Sequence, residues 1–140
     1  MRTIPIPAED LAVAEFPWKE IADRFEPVSD LFLIDSWVPE HHSPVPEYVG
    51  ITGRRADPAH SRALVRHCGL PVILAGGLSA ENVHAALLDA APTGVDSCTL
   101  TNQVDASGRP VRFVKDMLKV AKFVTEAERG ALELQAARSG

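Results

Sequence analysis

Four short apolar runs, each followed by a longer stretch in which apolar and polar residues mix at helical spacing, set the rhythm of this chain. The first run, residues 3–7, is a weak strand, because Pro5 and Pro7 remove two backbone donors. It leads into EDLAVAEFPWKEIADRF, which has helical spacing but carries Pro17, where a break or kink is expected. The second run, residues 31–35 (LFLID), predicts a strand ending on a carboxylate. Residues 36–57 are rich in Pro, His and Gly and predict a loop unusually long for a compact domain. Asp57 then supplies an N-cap and Pro58 a first helical position, for a helix reaching about residue 68.

The third run, residues 71–75, is uniformly apolar, as a strand covered on both faces should be. Gly76-Gly77 ends it, and Ser79, Glu81 and Asn82 open the helix AENVHAALLDAA. The fourth run, residues 94–100, precedes a polar loop containing Gly108. An amphipathic helix is expected from about 114 to 137, with Leu118, Ala121, Phe123 and Val124 in the core and a fraying tail over 135–140. Alternating strands and helices predict one α/β domain, residues 1–140, with a parallel sheet and helices outside it. Right-handed crossovers bring every strand's C-terminal end to one rim, where ligands bind in such folds. Asp35, Gly76-Gly77 and Cys98-Thr99 all fall at that rim.

Composition narrows the classes. The 140 residues suit one domain with a real core, at 46% hydrophobic and 24% charged. A net charge of −5 gives no sign of a nucleic-acid or anionic-lipid partner. The apolar runs are too short to span a bilayer, and MRTIPIPAED lacks a signal peptide's apolar core. Cys68 and Cys98 form no disulfide framework, so a cytoplasmic protein is expected.

The candidate chemistry gathers at the rim. Two glycines in LAGGLS let the backbone approach a ligand closely, and the next helix offers N–H groups to a phosphate without any lysine. The alternative is a tight turn that needs glycine for its dihedrals alone. Asp35 ends an apolar strand, where partial desolvation would raise its pKa toward general-acid work; an N-cap or loop-bridging role is the alternative. Adjacent His41 and His42 point in different directions on most backbones, and no second ligand cluster follows, so no metal is expected. Both thiols read as inert, and Arg54-Arg55 either meet an anionic substrate or are solvated.

Taken together, these segments resemble the C-terminal half of the phosphoribosylanthranilate isomerase family, a (β/α)8 barrel. The family's Leu-Leu-Asp strand end resembles Leu33-Ile34-Asp35, and its Gly-Gly-Thr-Gly-Lys loop resembles the stretch from Gly50 through Gly53 to Asp57. The family's Leu-Ala-Gly-Gly-Leu and Glu-Asn-Val match Leu74 to Leu78 and Glu81 to Val83. Its last strand is echoed from Val95 to Asn102, and its Lys-Asp helix opening recurs as Lys115-Asp116.

The resemblance implies a parallel (β/α) half-barrel of TIM-barrel type, about four strand–helix units. It implies sugar-phosphate isomerisation of the Amadori type, in tryptophan biosynthesis, with no cofactor. Asp35 would protonate the ribose ring oxygen, Gly76, Gly77, Cys98 and Thr99 would hold the phosphate, and Gly50, Gly53 and Arg54 would form the substrate loop. The family's general base, a cysteine in Lys-x-Cys-Gly, has no counterpart here, and a full barrel takes about 200 residues or more. Ile51, Ala56, Pro58 and Leu100 also depart from the family pattern. Three readings follow: a half-barrel active once paired with itself or a complementary half, a non-catalytic binder of a phosphate ligand or a protein, or a piece of a longer barrel. Exposed sheet edges and an apolar inner face favour association in each.

Overall fold

The structure, a computed structural model, describes residues 1–11, 13, 15–39, 49–50 and 53–139. Four parallel strands, β1 (Arg2–Pro7), β2 (Phe32–Trp37), β3 (Val72–Leu74) and β4 (Gly94–Val95), pair in that order. Helices α1 (Trp18–Phe25), α2 (Pro58–His67), α3 (Val83–Ala90) and α4 (Met117–Ser139) follow the successive strands. A separate antiparallel hairpin, β5 (Asn102–Val104) and β6 (Pro110–Lys115), separates β4 from α4. The main sheet and its helices form a (β/α) half-barrel of TIM-barrel type.

The proline-rich β1 is tolerable because of where its donors point. Arg2 N–H bonds to Leu31 and Ala8 N–H to Trp37, so even-numbered residues of β1 face β2. Pro5 and Pro7 therefore place their missing donors on the side away from β2, where no ladder bond is lost; at Pro7 that side is covered by residues 55–57, whose Asp57 N–H bonds to Pro7 C=O at 2.8 Å.

Side chains alternate across the sheet. Ile4, Ile6, Phe32, Ile34, Val72 and Leu74 face the helices and are buried with Ala22, Leu64, Val83, Ala86, Leu87 and Phe123. Each large apolar side chain in that layer contributes about 1.5–3 kcal/mol by leaving water. Residues of the opposite set, Pro5, Leu33, Asp35 and Ile73, lie on the inner face and are only half-buried. In a closed barrel that face would be core.

The helix boundaries follow local chemistry. Pro17 separates the 3-10 turn at Glu9–Leu11 from α1, which is the expected break. Asp57 caps α2 by accepting the His60 N–H at 2.8 Å, with Pro58 at the first position.

Four expectations from the sequence need correction. The fourth run is a strand only over Gly94–Val95, and the chain then turns into a 3-10 helix at Thr99–Thr101. The polar stretch around Gly108 is a hairpin turn, in which the Asp105 carboxylate accepts the Ser107 and Arg109 N–H groups. Asp116 caps α4 through the Leu118 N–H at 3.0 Å, so β6 takes Val114 and the helix begins later than expected. The core face of α4 is also different. Phe123 and Gly130 are buried and Ala127 and Leu134 partly so, whereas Leu118 is 76% and Val124 46% exposed and Ala121 is exposed.

Candidate functional site

Strand β2 aims Asp35 at the inner face, and β3 ends one step away in Ala75-Gly76-Gly77. Ala75 N–H bonds to Ile34 C=O at 2.8 Å, which fixes the glycine turn beside Asp35. Both glycines have positive φ, +87° and +61°, which L side chains rarely adopt. A β-carbon on Gly77 would also lie 2.6 Å from the Arg54 carbonyl carbon, so the chain after Gly53 rests directly on this turn. Asn82 braces the turn from α3: its amide donates to Gly77 C=O and its oxygen accepts the Ser79 N–H, both at 2.9 Å. Ser97 ties in β4 by donating to Leu78 C=O at 2.6 Å.

Gly53 approaches Thr99 from the other side, with the threonine methyl 3.5 Å from where a β-carbon would stand. One small cavity of about 20 Å3 is lined by Asp35, Gly53, Gly76, Gly77, Cys98 and Thr99, with Asp96 at its margin. An open cleft of about 350 Å3 continues from it past Gly77, Arg54, Arg55 and Asn82 to Glu9 and Asp10. Arg54 pairs with Asp10, and Arg55 lies 3.6 Å from Glu9. Gly50 abuts the Asp35 carboxylate and donates its N–H to Ser36 C=O at 2.9 Å. Asp35, Gly50, Gly53, Arg54, Gly76, Gly77, Cys98 and Thr99 thus come from four segments of sequence to one place.

The electrostatics of Asp35 are those of a carboxylate held partly out of water. Burial raises its pKa above the ordinary 3.8, the Ser36 N–H bond at 2.8 Å pulls it back, and the Asp96 charge raises it further. The net direction is up. Such a group can carry a proton to a developing anion or ring oxygen.

The remaining candidates lie elsewhere. His41 and His42 fall outside the described residues. His60, His67 and His84 bond to Asp57, Asp23 and Glu133, and no metal-type cluster occurs among the described residues. Cys68 sits at the end of α2, where burial and then the Glu26 and Asp23 charges push its pKa to about 11. No helix among the described residues is long and apolar enough to cross a membrane.

Sequence reasoning missed two braces of the site. Asn82 reads as a helix-opening residue, yet it spans the glycine turn. Lys115 reads as one half of a Lys-Asp pair, yet its ammonium reaches back to the turn after β4. Their positions within otherwise recognisable motifs, Glu-Asn-Val and Lys-Asp, were the available signals.

No family model matches the chain. It is 38% identical over 104 residues to N-(5'-phosphoribosyl)anthranilate isomerase 2 of Methanosarcina mazei, covering 74% of this chain and 41% of that protein. It is 39% identical over 109 residues to N-(5'-phosphoribosyl)anthranilate isomerase of Haloferax volcanii, covering 76% of this chain and 43% of that one. Among solved structures, N-(5'-phosphoribosyl)anthranilate isomerase from Pyrococcus furiosus aligns with a TM-score of 0.52 and 26% identity, covering 91% of this chain and 49% of that chain. The chain spans about half the length of the curated relatives it matches. In sequence and in backbone, then, this (β/α) half-barrel is similar to about half of a phosphoribosylanthranilate isomerase.

Proposed function

We propose that this half-barrel binds a sugar phosphate at its rim and contributes the acid half of an Amadori-type isomerisation, the reaction of phosphoribosylanthranilate isomerase. The observation that carries this reading is the cavity in which Asp35, with its raised pKa, faces Gly53, Gly76, Gly77, Cys98 and Thr99. Backbone N–H groups of the glycine turn and of the Cys98-Thr99 turn would hold the phosphate, with Arg54 alongside. Asp35 would deliver a proton to the ribose ring oxygen as the C1′–O bond breaks, giving a Schiff base. Loss of the C2′ proton to a base would then complete the rearrangement.

A cavity of about 20 Å3 has room for roughly one water molecule and cannot enclose a sugar phosphate. The half-buried inner face, with Leu33 and Ile73, offers the surface on which a second copy or a complementary half-barrel would complete the walls and supply the base.

The first experiment is calorimetric titration of the chain with a reduced analogue of the isomerase product, which needs the phosphate site and no base. Micromolar affinity supports the reading. Absence of heat at millimolar ligand, from a folded sample, sinks it and favours a half-barrel that binds a protein. Light scattering of the same sample tests association: a stable monomer at micromolar concentration overturns the pairing.

A further inference from the structure

The turn that follows β4 is held from behind by two side chains, Lys115 and Thr101, which reach the same two carbonyls. Lys115, the last residue of β6, places its ammonium 2.6 Å from the Cys98 carbonyl, 3.5 Å from the Ser97 carbonyl and 2.9 Å from the Thr101 hydroxyl. Thr101 is buried, and its hydroxyl also donates to Cys98 C=O, at 3.1 Å. The next residue reinforces the contact, since Asp116 N–H bonds to Thr101 C=O at 2.9 Å. One turn into α4, Lys119 donates to Asn102 C=O at 2.9 Å.

This arrangement has a geometric consequence. Peptide units are planar, and no cis bond occurs among the described residues. In a trans unit the C=O and the N–H point in opposite directions. Drawing the Ser97 and Cys98 carbonyls toward Lys115 therefore sends the N–H groups of Cys98 and Thr99 to the other side. Cys98 and Thr99 line the cavity with Gly53, Gly76 and Gly77. Left to itself, a half-buried turn of this length would sample several peptide orientations, only some of which present both donors together.

We infer that Lys115 is a positioning residue of the anion site: by holding two carbonyls on one side of the turn, it aims the Cys98 and Thr99 N–H groups at a bound phosphate. The inference rests on the sugar-phosphate reading above and deepens it. Lys115 acts through the turn and need not touch the ligand.

The test is an amide-resolved NMR titration of the full chain with inorganic phosphate, repeated for Lys115→Met and Lys115→Gln. In the unmodified chain the Cys98 and Thr99 amide protons should move downfield together with those of the Gly76-Gly77 turn. Lys115→Met keeps the aliphatic stem but has no donor; it should weaken phosphate binding at least tenfold and lose the Cys98 and Thr99 shifts, while the glycine shifts remain. Lys115→Gln, which restores an N–H donor, should recover much of the affinity. A merely structural lysine would lower the melting temperature without separating the two sets of amides. Glycine amides that respond while Cys98 and Thr99 stay silent in the unmodified chain overturn the inference, whether or not either variant folds. Equal phosphate affinity of Lys115→Met and the unmodified chain overturns it as well. No response at any amide sinks the sugar-phosphate reading itself, and the inference falls with it.

Discussion

Gly50 stands against Asp35 so closely that a β-carbon there would lie 2.8 Å from the Asp35 carboxyl carbon and inside the contact distance of Oδ2. Gly50 also has φ +85°, so any side chain meets a backbone cost and a clash at the same atom. Gly50→Ala should destabilise the fold by about 1–3 kcal/mol and displace the Asp35 carboxylate. Thermal unfolding reads the first effect. An unchanged melting temperature would mean that the segment carrying Gly50 does not hold this position against Asp35.

Asp35 itself should be a stability liability. Its pKa is raised in the folded state, chiefly by burial, so the folded chain holds this proton more tightly than the unfolded chain does. Stability from this group is therefore full below the ordinary value of 3.8 and is lost as pH rises through the raised folded value. Asp35→Asn removes the charge that is disfavoured at neutral pH. We expect a gain of about 0.5–2 kcal/mol at pH 7, the range typical of relieving a functional-site strain, together with loss of any turnover. Urea unfolding at pH 7 and pH 4 checks the sign: the advantage of the variant should shrink at the lower pH.

The cap of α2 behaves in the opposite sense. Burial raises the Asp57 pKa, but the His60 N–H, side chain and charge and the Ala59 N–H together outweigh it, and the net direction is down. Its contribution is present above pH 3.8 and is lost as pH falls through the lowered value. Asp57→Ala should cost about 0.5–2 kcal/mol at neutral pH, the usual worth of an N-cap. The gap from the unmodified chain should close in strong acid. A gap that stays constant from pH 7 to pH 2 would show that packing of Ala56 and Pro58, and not the carboxylate, sets the start of the helix.

These contrasts show why some of this molecule was legible in sequence and some was not. The AGGL turn and the Asp57-Pro58 cap were readable because each is a local bargain, one of positive φ and the other of a donor and acceptor three residues apart. The parallel order of β1 to β4 followed from alternation of strand and helix. The hairpin was not readable, because the stretch around Gly108 reads as a polar loop and Val114 as the start of an amphipathic helix until Asp116 is recognised as its cap. Lys115 was missed for a related reason: its partners, Ser97, Cys98 and Thr101, lie 14 to 18 residues earlier, and nothing in spacing encodes a contact at that range. At the site, the gathering at one rim was legible from the strand ends, but the packing of Arg54 on Gly77 was not.

The face by which α4 docks gives the sharpest test of the packing. Phe123 is 8% exposed and sits in the same cluster as Leu87 and Ala90 of α3, whereas Leu118, on the same helix, is 76% exposed. Gly130 lets the two helices approach, with Leu87 Cδ1 3.1 Å from where its β-carbon would stand. Phe123→Ala leaves a cavity between α3 and α4 and should cost about 3–5 kcal/mol, a large share of a small domain's stability. Leu118→Ala removes a side chain that is already in water and should change stability by no more than about 0.5 kcal/mol. Paired urea melts of the two variants decide the matter. If Leu118→Ala proves the costlier, α4 is rotated about its axis from the position described, or Leu118 is covered by another molecule in solution; light scattering of that variant separates the two, because only the second lowers the mass of the particle.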